Sequence, residues 1–182
     1  MNTKFFSRST RAIVAAIIAC GYFFTGCAPQ LPPTKEAVAA ATMSVKDPYT
    51  GVSSIDGPTV EWSFMSKHFT TDDNTISTLR WGLSDSNSER VHLTVSARAL
   101  SWMFLNEAYV LNEGRISSST ANPLRDVDSG AVIEVIGFLI PKSMLKSHKE
   151  TGLSIRLSGS KGSVDFTIPA YYIQGYLEAA KN

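Results

Sequence analysis

The chain has 182 residues, 43% hydrophobic and 18% charged, which is the size and make-up of one ordinary globular domain with an addition at one end. Its 17 Lys plus Arg against 16 Asp plus Glu exclude a nucleic-acid binder that works through a basic face. Two cysteines are too few for a disulfide-stapled mini-protein.

The first 27 residues divide into three zones. Lys4, Arg8 and Arg11 place three positive charges and no negative one ahead of an apolar run. Residues 12–24 then supply apolar or small residues without a charge. The run is shorter than the ~20-residue helix that crosses a hydrocarbon core, and it suits the apolar segment of a secretory signal, whose basic start stays on the cytoplasmic side. Phe24-Thr25-Gly26-Cys27 closes the stretch. These residues resemble the lipobox of bacterial lipoproteins, with Gly26 and Cys27 matching the pattern and Phe24 standing where Leu is usual. The resemblance implies that residues 1–26 are a signal peptide and that the Cys27 thiol takes a diacylglycerol. Cys27 then becomes the first residue of a mature chain anchored by palmitate-type acyl groups. Each buried CH₂ contributes about 0.8 kcal/mol, so two or three chains hold a protein at a membrane almost permanently. Ala28 after the Cys resembles the sorting pattern of the outer membrane in hosts with two membranes. The expected location is the cell envelope, lipid-anchored on the periplasmic face of the outer membrane, with the membrane as a partner through Cys27.

Cys20 falls inside the signal, so the mature domain has no cysteine beyond its anchor. An internal disulfide, a Cys-ligated zinc site and a Cys nucleophile are therefore excluded from it. Loss of the three basic residues leaves 14 basic against 16 acidic, which gives no indication of electrostatic attachment to an acidic surface or to nucleic acid.

Residues 27–46, with Pro29, Pro32 and Pro33 and then Ala-rich sequence, read as the lipidated Cys followed by a flexible tether, with Ala37 to Thr42 as a short helix candidate. From about Asp47 to Asn182 the chain reads as one β-rich domain. Strand candidates run over 59–65, 75–84, 90–98 and 101–111, the second with Ser77, Leu79, Trp81 and Leu83 on one face and Ile76, Thr78 and Arg80 on the other. In 90–98, Val91, Leu93, Val95 and Ala97 alternate with polar partners, and the turn-rich 85–88 between the two predicts an antiparallel pair. A polar loop is expected from Ser117 to Gly130. Residues 131–140 are nearly continuously apolar and predict a central strand covered on both faces. Pro141 starts a helix that stops near Gly152. Leu153–Leu157 and Val164–Ile168, joined at Gly159-Ser160-Lys161-Gly162, form the clearest hairpin, and Pro169 opens a final helix with Ile173, Tyr176, Leu177 and Ala180 on one face. The expected fold is mainly β, an antiparallel sheet or β-sandwich with two short helices near the C-terminus, the alternative being α+β.

His68 with Asp72 and Asp73 is the one His and carboxylate cluster close in sequence, and a His held by an Asp is the beginning of an acid–base or metal site. No Ser lies in a GxSxG setting, and the His-x-x-x-His zinc spacing is absent. Asp126 and Asp128 precede Gly130 on alternate positions, a weak calcium pattern that lacks the third oxygen ligand and the distal Glu of an EF-hand; a capped turn is the expected reading. Trp62, Trp81, Trp102 and Tyr109 are expected in the core. Tyr171 and Tyr172 lie mostly off the apolar face of the last helix, so one of them is a candidate exposed anchor for a partner. No cofactor is expected. Together these features predict a non-enzymatic binding or assembly component of the envelope, engaging another envelope protein or a cell-wall component. The alternatives are a small hydrolase using His68, Asp72 and Asp73, and a carrier of an apolar ligand.

Overall fold

The computed structural model describes residues 32–49, 51–63, 69–71, 76–85, 89–119 and 123–181. The chain is mainly β. In order it forms α1 (Lys35–Ala41), β1 (Met43–Lys46), β2 (Ser53–Asp56), β3 (Val60–Ser63), β4 (Phe69–Thr71), β5 (Ile76–Asp85), β6 (Arg90–Ala99), β7 (Leu105–Val110), β8 (Gly114–Ser118), β9 (Leu124–Asp128), β10 (Ala131–Pro141), α2 (Lys142–Ser147), β11 (Leu153–Gly159), β12 (Gly162–Ile168) and α3 (Ala170–Ala179). None of these helices is long and apolar enough to cross a membrane.

Every strand pair is antiparallel, and the ladder runs β1-β2-β5-β6-β10-β8-β7-β11-β12-β4, with β3 also on β5 and β9 also on β10. The two halves are joined where β8 meets β10 at Ser117 and Ser118. Trp62 of β3 and Trp81 of β5 lie 6.5 and 6.3 Å from Phe166 of β12. The sheet therefore curls until its two halves face each other around one core. That geometry lies between the single sheet and the sandwich that the alternation allowed.

Burial follows the period-2 pattern in β6, where Val91, Leu93, Val95, Ala97 and Ala99 all point inward. In β5 the phase differs from the sequence expectation at one point. Ile76 is buried together with Leu79, Trp81 and Leu83, because a bulge at Ser77 sets Ile76 opposite Ala99 and Thr78 opposite Arg98. One extra residue turns the side chains before it to the other face. β10 is central as expected, between β6 on one side and β8 and β9 on the other, but its outward residues Ile133, Val135 and Leu139 are only half covered.

Three further expectations are corrected. The strand over 101–111 begins only at Leu105, because residues 101–104 form an arc in which Phe104 has φ +56°. The loop 117–130 contains β9, pinned to β10 in register from Leu124↔Val135 to Asp128↔Ala131. The segment read as a tether folds as well. α1 is capped by Thr34, whose Oγ1 accepts from Ala37 N at 3.2 Å, and its Val38 is fully buried against α3 at Gly175. The folded unit therefore includes residues from Thr34 onward, ahead of Asp47.

The curl has two ends, separated along β10 by ten residue steps, about 33 Å at ~3.3 Å per residue. At the Pro141 end, α3 lies across the opening. Tyr172 donates to Pro58 O at 2.6 Å, Tyr176 donates to Ile55 O at 3.3 Å, and Lys142 pairs with the buried Asp85 at 2.5 Å. At the Ala131 end the arc 101–104 closes the opening. Glu134, which points inward from an otherwise apolar strand, accepts from the amides of Met103, Phe104 and Leu105 at 2.7, 3.0 and 2.9 Å.

Candidate functional site

The interior is filled by Trp81, Phe138, Tyr172 and their neighbours, and two hollows among the described residues lie over the outer faces of the sheet. A hollow of about 610 Å³ spreads over β4, β12, β11 and β7. Strand register builds its floor. Thr70 stands opposite Asp165, Asp165 opposite Arg156, and Arg156 opposite Tyr109, so four residues from distant parts of the chain form one row across four strands. Leu111, Ser154 and Thr167 line the side nearer α2. These residues face outward because Leu153, Ile155 and Leu157 and Val164, Phe166 and Ile168 take the inward phase of the same two strands.

Charge in this row is internally paired. Arg156 donates to both carboxylate oxygens of Asp165, Nε to Oδ1 at 2.7 Å and Nη2 to Oδ2 at 2.6 Å, a two-point geometry that fixes the guanidinium plane. Arg115 pairs with Glu107 at 3.2 Å, and the Tyr109 hydroxyl donates to the same carboxyl group at 2.8 Å. That hydrogen bond, ahead of partial desolvation, raises the Tyr109 phenol above its ordinary value and keeps it neutral. Ser154 Oγ and Thr167 Oγ1 share a hydrogen bond at 3.1 Å. The surface offered is a half-exposed aromatic ring, a rigid Arg–Asp pair and a set of hydroxyls, which is chemistry for holding a polar ligand. A second hollow of about 380 Å³ lies over β5 and β6, lined by Asp56, Thr59, Arg80, Ser84, Thr94 and Ser96, with Arg80 paired to Glu61.

The residues singled out from sequence are distributed differently. Cys27, His68, Asp72 and Asp73 lie outside the described residues. Asp126 and Asp128 belong to β9, where Asp128 takes Arg98 at 3.2 Å and the Ser129 hydroxyl at 2.9 Å, and Asp126 takes the Val127 amide at 2.7 Å. Ser129 and Gly130, with φ +51° and +79°, make the two-residue turn into β10. Among the described residues no three His, Cys, Asp or Glu gather as a metal site.

Tyr172 is fully buried, its ring 4.8 Å from Trp81 in an edge contact, and burial raises its phenol well above the ordinary value. It is a core residue and not an exposed anchor; Tyr171 beside it is half-buried. Trp62 and Trp81 are core as expected, whereas Trp102 is half-buried and Tyr109 is 37% exposed on the outer face. The alternation of residues 153–168 marked Ser154, Arg156, Asp165 and Thr167 as outward, but their alignment with Tyr109 rests on a β7–β11 pairing of strands more than forty residues apart, which no local pattern encodes. Compared with protein-family models, curated proteins and solved structures, the chain matches none.

Proposed function

We propose that this protein is a lipid-anchored binding domain of the cell envelope, held by acyl chains on Cys27 and acting on another envelope component without catalysing a reaction. The observation that carries the reading is the N-terminal pattern itself: three basic residues, an uncharged apolar run and Gly26-Cys27 in succession. The fold is consistent with it. Seven residue steps separate Cys27 from Thr34, the cap of α1, so α1 begins within about 25 Å of the anchor even if that stretch is fully extended. The Ala28 pattern favours the periplasmic face of the outer membrane. The row Thr70–Asp165–Arg156–Tyr109 is the surface we assign to the partner, because its paired charges and hydroxyls suit recognition better than proton transfer.

Metabolic labelling with palmitate tests the anchor. The protein is expected to incorporate label and to fractionate with the outer membrane, while Cys27→Ser is expected to lose the label, retain residues 1–26 and stay at the inner membrane by their apolar run. Unlabelled protein, with Cys27→Ser maturing and fractionating as the original does, would remove both location and role. Crosslinked pull-down from the native host, with Arg156→Ala and Tyr109→Ala as comparisons, tests the assigned face. Partners recovered equally by all three proteins would count against it.

A further inference from the structure

The exposed large apolar side chains are not evenly spread. Met43, Val45, Tyr49 and Val52 all belong to the β1–β2 hairpin, and Tyr49 at its turn is 96% exposed. Among the described residues the hairpin pairs with the rest of the sheet through Ile55 and Asp56, opposite Asp85 and Ser84 of β5, and all four residues of β1 are exposed. Two four-residue strands with so little support are marginal in water by themselves. A surface of this kind implies a cover, and its position in the chain indicates which one. α1 is seven residues long, about 10 Å, and a single residue, Thr42, connects it to β1. The hairpin is thus the first sheet element after the anchor.

We infer that the β1–β2 hairpin is the surface on which the domain rests against the bilayer that Cys27 is anchored in, with Tyr49 and Val52 seated at headgroup depth; this rests on the lipid-anchor reading above. The turn has the chemistry for that layer. Tyr49 combines an apolar ring with a polar tip, the type of side chain that concentrates at membrane–water interfaces. Lys46 supplies a positive charge beside it. The one carboxylate in the turn, Asp47, is folded back on the turn's own backbone, accepting from the Tyr49 amide at 2.7 Å, while its backbone binds Val52 O and the Gly51 amide at 2.9 and 2.8 Å. A further exposed apolar cluster, Leu100, Leu124 and Val127, lies toward the Ala131 end of β10, Leu124 opposite Val135 and Val127 opposite Val132, six and nine residue steps or about 20 and 30 Å along that strand from the end where the hairpin root lies, and stays clear of the membrane.

The lipidated full-length protein offers a direct test. Once its signal is removed its one cysteine sulfur is consumed by the lipid, so Tyr49→Cys and Leu124→Cys each introduce a single reactive thiol at an exposed position that folding does not depend on. Each is labelled with an environment-sensitive fluorophore and reconstituted into phosphatidylethanolamine–phosphatidylglycerol vesicles, with and without brominated acyl chains. The label at position 49 is expected to brighten severalfold on reconstitution and to be quenched by the brominated lipid, and the label at 124 to remain as in water. Equal, water-like emission at both positions on protein shown to carry lipid would overturn this inference and leave the anchor intact. A change at position 49 that tracks protein concentration rather than lipid would assign the hairpin to a second copy of the chain instead. Protein that carries no lipid at Cys27 would remove both readings together.

Discussion

Tyr172 joins two parts of the fold at once. Its ring meets Trp81 edge-on inside the curl, and its hydroxyl donates to Pro58 O, 114 residues earlier in the chain. Tyr172→Phe keeps the ring and leaves that carbonyl without its donor, so the expected cost is about 1–2 kcal/mol, read as a lower urea midpoint with an unchanged slope. An unaltered midpoint would show that water replaces the hydroxyl there. Glu134 is the converse case, a buried carboxylate that faces three amide donors and takes Arg125 Nε at 3.4 Å. Glu134→Gln places an NH₂ among those donors, and about 3 kcal/mol is the expected loss. It should appear first as faster amide exchange at Met103, Phe104 and Leu105; native-like protection of those three would show that the arc holds without the carboxylate. Neither residue announced its role. Within residues 131–140 a single Glu looks like an outward-facing exception, because the amides that satisfy it lie about thirty positions upstream in an arc that exists only once the sheet has curled.

At the scale of elements, strong alternation was readable and weak alternation was not. β5, β6, β11 and β12 were visible because one face of each meets the core, whereas β1, β4, β8 and β9 are short or mostly exposed and carry little apolar contrast to read. α3 lies where Pro169 and its apolar spacing predict it, but more of its surface is buried than one stripe would cover. It is covered by the sheet on one side and by α1 on another, so Tyr172, Ile173, Gly175 and Tyr176 are all buried and a single apolar stripe does not describe it. Gly175 is the point of closest approach, where an added Cβ would lie 2.4 Å from Lys35 O and 2.7 Å from Val38 Cβ. Gly175→Val is therefore expected to push α1 away and to destabilise the protein by about 1–3 kcal/mol. Hydrogen exchange should localise the effect, with amides of residues 38–41 losing protection well before those of β10. Equal loss in both would mean that α1 and the sheet open as one unit. The candidate site was legible only in halves: Arg156 and Asp165 from the hairpin, and Tyr109 only once β7 was seen paired with β11.

Over the whole molecule, the tyrosines link the closure of the curl to pH. Burial holds the phenols of Tyr172 and Tyr176 well above their ordinary 10.0, and Asp85 adds to the shift at Tyr176. Below about pH 10 both are neutral whether the chain is folded or unfolded, so their contribution to stability is complete. Above it the unfolded chain releases two protons that the folded chain retains, and stability falls by roughly 3 kcal/mol per pH unit until the folded-state values are reached. A domain with the usual 5–15 kcal/mol in reserve then unfolds within a few pH units. Tyrosinate absorbance from Tyr172 and Tyr176 is accordingly expected only well above pH 10, in step with loss of the tertiary circular dichroism of Trp81 and Trp62. Tyr172→Phe removes one of the two linked protons and should make the alkaline decline shallower, even though the variant starts from a lower stability at neutral pH. If Tyr172 and Tyr176 titrated near pH 10 while the tryptophan signal persisted, α3 would have to leave the opening without unfolding the sheet, and the curl would not depend on the helix that closes it.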